Sequence, residues 1–128
     1  MRAVAAAILC LLGGTGVADA QQILLAAGGL YGGPSQARAV CYIYNVGSIT
    51  ANLAGLFIID QNGAPQTLVV DQCGVAVAPG RICGVAADVT DNQPYGCRMT
   101  VDGSKDDLRG VFEIRDAQQR VLANVELR

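Results

Sequence analysis

From Arg38 to Leu127 the chain is a succession of short apolar runs broken by turn-forming residues. Toward the C-terminus the runs alternate cleanly. Tyr95, Cys97, Met99 and Val101 fall on one side, and Arg98 and Thr100 on the other. Phe112 and Ile114 oppose Glu113 and Arg115 in the same way, and Val121, Ala123, Val125 and Leu127 oppose Asn124 and Glu126. A period of two with one polar face predicts antiparallel strands that are wet on one side and core on the other. Strands are predicted near 38–46, 54–60, 66–73, 81–87, 95–102, 109–116 and 120–127. The breakers between them include Asn62-Gly63, which suits a turn with positive φ, and Pro79-Gly80, which suits the centre of a type II turn. Short strands at even spacing are the pattern of an all-β sandwich or barrel, and almost no helix is expected. Leu56-Phe57-Ile58-Ile59 and Leu68-Val69-Val70 are apolar on both faces, which predicts cover by the N-terminal segment or by loops, with contact to a partner as the alternative.

The N-terminus has a different grammar. Met1-Arg2, an apolar run from Ala3 to Leu12 and the small-x-small end Ala18-Asp19-Ala20 predict a secretory leader over 1–20. The mature chain would then begin at Gln21, and its site of action would be periplasmic or extracellular. Residues 21–36 form a Gly-rich segment in which Ile23 to Ala27 could make an edge strand and Gly28 to Pro34 a loop. No Gly-Lys-Ser/Thr follows these glycines, so they do not read as a phosphate cradle. The main domain is expected over 37–128.

Composition narrows the function classes. Of nine basic and 11 acidic residues, Arg2 and Asp19 lie in the leader, leaving eight and ten and a net charge of −2. With no basic tract, neither nucleic-acid binding nor a polybasic membrane mode is expected. Beyond the leader the longest apolar stretch, Ile23 to Leu30, is too short for a membrane-spanning helix, so no membrane insertion is expected after cleavage. Apart from Cys10 in the leader, the cysteines are Cys41, Cys73, Cys83 and Cys97. An even number in a small exported domain predicts two disulfides, with three pairings open. There is no histidine and no C-x-x-C pair, so neither a metal site nor a cofactor is expected.

Asp91-Asn-Gln-Pro-Tyr95-Gly-Cys97 resembles the end of strand F in immunoglobulin-like domains, where a tyrosine corner precedes the cysteine that bridges to strand B. The corresponding strand-B segment is Ala39-Val-Cys41-Tyr-Ile-Tyr-Asn-Val-Gly, 56 residues earlier at the cysteine. With Ile59-Asp60, Asn62-Gly63 and Ala78-Pro-Gly, the stretch from 37 to 127 resembles small exported bacterial immunoglobulin-like modules. No tryptophan is present to pack against the bridge, and Phe57 is the nearest aromatic. The resemblance implies a disulfide-stapled antiparallel β-sandwich of about seven to eight strands. It also implies pairing of Cys41 with Cys97 and of Cys73 with Cys83. It supplies no catalytic residues.

If Cys41 faces the core, Val40, Tyr42, Tyr44 and Val46 face the other way and form a candidate interaction face. Tyrosine is favoured at interfaces and stacks on sugars. The expected function is therefore a non-enzymatic exported module for binding or assembly, acting on a protein partner or on a second copy. The alternative is a carbohydrate-binding module using Tyr42 and Tyr44. A secreted hydrolase is the remaining class, with Asp102, Asp106 and Asp107 as its acidic residues. Without histidine the common triads are impossible. Ser104 and Lys105 are adjacent, which splays them apart, so no catalytic residue is assigned. The acidic loop offers oxygen ligands of the kind calcium takes, but its spacing matches no EF-hand.

Overall fold

The computed structural model describes residues 22–128. The expected leader, with Cys10, and the cleavage point before Gln21 lie outside the described residues. Nine strands follow in order: β1 (Gln22–Leu30), β2 (Gln36–Asn45), β3 (Ala51–Asp60), β4 (Leu68–Asp71), β5 (Ala76–Val77), β6 (Ile82–Asp88), β7 (Tyr95–Asp102), β8 (Leu108–Asp116) and β9 (Val121–Glu126). One 3₁₀ turn, Lys105–Asp107, precedes β8. The count exceeds the seven to eight expected. The addition is β5, whose two residues are too few to show any period.

The strands form two antiparallel sheets, in the orders β1-β7-β3-β5 and β4-β6-β2-β8-β9. Each connection from β1 to β8 passes from one sheet to the other, and only β8–β9 is a hairpin within a sheet. Side chains from both inner faces fill the space between, led by Ile43, Ile58, Val85, Met99, Phe112 and Ile114. Cys41 of β2 is bonded to Cys97 of β7 across the core, with Cα atoms 6.2 Å apart. Cys73 is bonded to Cys83 over the turn entering β6, with Cα atoms 4.9 Å apart.

The N-terminal segment is part of this body. β1 is an edge strand beside β7, as Ile23 to Ala27 could make, and Leu25 and Ala27 enter the core, so the described part of this segment from Gln22 on packs with the sandwich. The strand runs on through Gly28 to Leu30 because Gly29, at φ 72°, absorbs a bulge against β7. Its outer edge is held by the other end of the chain, since Ala26 and Arg128 exchange both backbone hydrogen bonds (3.0 and 3.2 Å). A bulge also changes the face of one residue in β9. Ala123 stands opposite Ile114 but Val121 stands opposite Arg115, so Val121 lies on the outer face and not with Ala123.

The two runs that are apolar on both faces are not covered by the N-terminal segment. Ile58 enters the core, while Phe57 faces outward and Val69 and Val70 remain exposed. Phe57 has a local use: its ring lies over Gly55, where a Cβ would come within 2.6 Å of it, and Arg98 stacks on it at 5.7 Å.

Among the described residues two amides and one carboxylate are buried, and each ties loops to strands. Gln36 donates from Nε2 to the carbonyls of Asp91 and Gln93 and accepts from Gly32 N at 3.1 Å. Asn45 donates from Nδ2 to the carbonyls of Ile49 (2.7 Å) and Val77 (2.8 Å) and accepts from Gly47 N (2.9 Å). Asp116 closes the β8–β9 hairpin. Its Oδ1 accepts from Gln118 N and Arg120 N, both at 2.9 Å, and its Oδ2 accepts from Arg120 Nε at 2.6 Å.

Burial pushes the Asp116 carboxyl up, but the backbone and side-chain bonds from Arg120, with that from Gln118, outweigh it and hold its pKa below the ordinary value. A depressed folded pKa stabilises the protein above the unfolded carboxyl pKa, and that gain is lost as pH falls through the folded value. Asp116→Asn is therefore expected to flatten the acid limb of a melting-temperature–pH curve. An acid limb identical to wild type would refute this role.

Candidate functional site

Tyr42 and Tyr44 stand on the outer face of the five-stranded sheet, because Cys41 and Ile43 between them point into the core. Register then decides what surrounds them. Tyr44 faces Ile82 on β6 and Arg109 on β8, and Tyr42 faces Gly84 and Val111. Glu126 of β9 lies beside Val111. Together Tyr42, Tyr44, Ile82, Arg109, Val111 and Glu126 line a groove of about 690 Å³. Ile82 is 66% exposed and Tyr44 39% exposed at its rim.

Tyr42 is the fixed wall of the groove. A Cβ on Gly84 would come within 2.9 Å of the Tyr42 ring, so the glycine is what lets the ring lie down across β6. Arg115 stacks over the same ring at 5.7 Å and is itself held by Glu113, with Nε to Oε2 at 2.8 Å. Burial lowers the Arg115 pKa, but the hydrogen bond and charge of Glu113, with Tyr42, outweigh it and hold it above the ordinary value. At this end of the sheet the charges are matched, since Arg38 also pairs with Asp88 at 2.9 Å.

At the groove end they are not. Arg109 donates from Nη1 to the carbonyls of Asp106 (2.9 Å) and Leu108 (2.8 Å), which fixes the guanidinium. Among the described residues neither Arg109 nor Glu126 makes an ion pair, although both line the same groove. The site is thus an apolar trough with one pinned cation and one free carboxylate.

The other residues of the expected face are placed differently. Val40 is on the same side as Tyr42 but only 6% exposed, in a row with Ala86 and Glu113. Val46 lies beyond the end of β2, where its N–H donates to the carbonyl of Asp107 (2.8 Å), so it does not continue the tyrosine row. Ile82 was legible in principle: if Cys83 faces the core, its neighbour in the strand must face out. Arg109 and Glu126 read in the sequence as part of a solvated face, and only the register brings them to the tyrosines.

The acidic loop has a structural use. Ser104 Oγ accepts from Asp106 N (3.2 Å) and caps the 3₁₀ turn, and no hydrogen bond joins Ser104 to Lys105 among the described residues. Nor, among the described residues, do three of His, Cys, Asp or Glu converge to hold a metal ion. Tyr95 is buried beside Cys97, and its hydroxyl accepts from Gln93 Nε2 at 3.3 Å. Set against protein-family models, curated proteins and solved structures, the chain matches none.

Proposed function

We propose that this protein is an exported, non-enzymatic binding or assembly module of immunoglobulin-like type, acting through the outer face of its five-stranded sheet. Two disulfides in a body this small support a site of action outside the cytoplasm. The immunoglobulin-like reading is supported by the inter-sheet bridge and by the orders β4-β6-β2 and β7-β3, which correspond to D-E-B and F-C. The first strand and β8 depart from that plan, with β1 beside β7 and β8 beside β2.

The observation that carries the binding reading is the groove. Tyr44 and Ile82 stand exposed beside Arg109 and Glu126, which make no ion pair among the described residues, while at the other end of the sheet Arg115 and Arg38 are matched by Glu113 and Asp88. Such a trough of aromatic and aliphatic walls with a few convergent polar groups is how binding sites are built.

The test is a photo-crosslinking amino acid at position 44, compared with one at position 57 on the opposite sheet, in the protein as its own cell exports it. Adducts specific to position 44 are expected. Identical adduct patterns at the two positions, or none at position 44, would overturn the assignment of this face.

A further inference from the structure

We infer that the groove takes a neutral saccharide, an inference that rests on the reading of this face as a binding surface and names its ligand class. Four features of the trough carry it. Its walls are the rings of Tyr42 and Tyr44 with the aliphatic side chains of Ile82 and Val111. Tyr42 is already covered by Arg115, so the exposed Tyr44 ring offers the π-face for the C–H side of a pyranose ring. Its polar groups are one cation and one carboxylate, Arg109 and Glu126, neither paired with the other nor with any described residue.

The charge balance narrows the ligand. An anionic ligand would meet Arg109 but be repelled by Glu126, and a cationic one would meet the reverse. A wholly apolar ligand would bury both charges without a counter-ion, which their desolvation disfavours. A hydroxyl can accept from Arg109 and donate to Glu126, so a polyol satisfies both with no charge of its own.

Preorganisation is the third feature. Two backbone carbonyls hold Arg109 Nη1, and Gly84 with Arg115 holds the Tyr42 ring, so little side-chain freedom remains to be lost on binding. Location is the fourth. The trough lies mainly over the face of β2 and β8, whose main chains are paired on both sides, and meets the edge strand β9 only at its end, so a polypeptide laid in it would find little unpaired main chain to extend.

The chain has four tyrosines and no tryptophan, which makes tyrosine emission a direct reporter. The experiment titrates the disulfide-intact protein with cellohexaose, maltohexaose and chitohexaose, and with an oligogalacturonate as the acidic comparison. At least one neutral oligosaccharide is expected to perturb the emission saturably. Tyr44→Ala should weaken that binding about tenfold, or roughly 1.4 kcal/mol, with Tyr44→Phe close to wild type. Glu126→Gln and Arg109→Met should each weaken it several-fold, and Phe57→Ala on the other sheet should not. Tyr44→Phe and Glu126→Gln keep the test valid should Tyr44→Ala fold poorly.

Saturable binding of the oligogalacturonate alone would overturn the inference. So would neutral binding that Tyr44→Ala and Glu126→Gln leave unchanged, or no binding across the panel. If the panel fails while crosslinking at position 44 captures a protein, the saccharide is excluded and the binding face stands. If both fail, the face itself is wrong.

Discussion

Replacing Cys41 and Cys97 together by alanine is expected to lower the melting temperature by about 20 °C, close to the limit of what a domain of this size withstands. The Cys41–Cys97 bond closes a loop with a sequence separation of 56, against ten for Cys73–Cys83. Chain-entropy arithmetic assigns about 4 kcal/mol to the first and about 3 to the second. Typical domain stabilities are roughly 5–15 kcal/mol, so losing the first bond removes a large share and losing both leaves little. Position sharpens the difference. Cys41 and Cys97 have no solvent exposure and sit at the centre of the core, so their sulfurs also pack both sheets together. Cys73–Cys83 closes a turn at the start of β6, and its alanine pair is expected to melt about 5–10 °C above the Cys41/Cys97 pair. Scanning calorimetry of the two double variants decides the matter, and equal melting temperatures would contradict the ranking.

Asn45→Ala is the second change with a large expected cost, about 2–4 kcal/mol, although it removes only one small side chain. In the native protein that amide satisfies the carbonyls of Ile49 and Val77 and the N–H of Gly47. Its loss strands these groups where β2 ends, where β5 lies and where the loop between β2 and β3 turns back. Asn45→Asp keeps an acceptor for Gly47 N but sets a carboxylate against two carbonyls in a buried place, so it is expected to be no better. Urea melts of both variants measure the cost, and amide exchange at Gly47 localises it. A wild-type midpoint for Asn45→Ala would show that water takes over these bonds.

Much of the sandwich was legible because its strands keep strict time. Tyr95, Cys97, Met99 and Val101 are all buried as their alternation requires, and Phe112 and Ile114 likewise. The immunoglobulin resemblance also led to both disulfide pairings. What stayed hidden is what a period cannot encode. β5 is two residues long, and the pairing of Arg128 with Ala26 is a contact between chain ends. The bulge in β9 put Val121 on the wrong side of the reading. Gln36 and Asn45 are buried polar residues that a hydrophobicity pattern counts as surface. The site divided in the same way. The tyrosine pair follows from β2 alone, but Ile82, Arg109, Val111 and Glu126 come from three other strands and join it only through cross-strand register.

The crossing of the chain from sheet to sheet has a kinetic consequence. Cys41 in β2 must find Val85 on one side and Phe112 on the other, and β1 has no sheet neighbour until β7 exists. Among the described residues, β8–β9 is the only pair of consecutive strands in one sheet, and otherwise only the Ile59–Pro65 bridge is local, so loop-closure entropy must be met almost in full before pairing rewards it. Folding is then expected on the millisecond-to-second scale of non-local β proteins. For a chain read as exported, that delay is useful. On that reading, an N-terminal half with no strand pairing inside itself would remain unfolded and threadable until its last strands follow it, and would fold where the disulfides form.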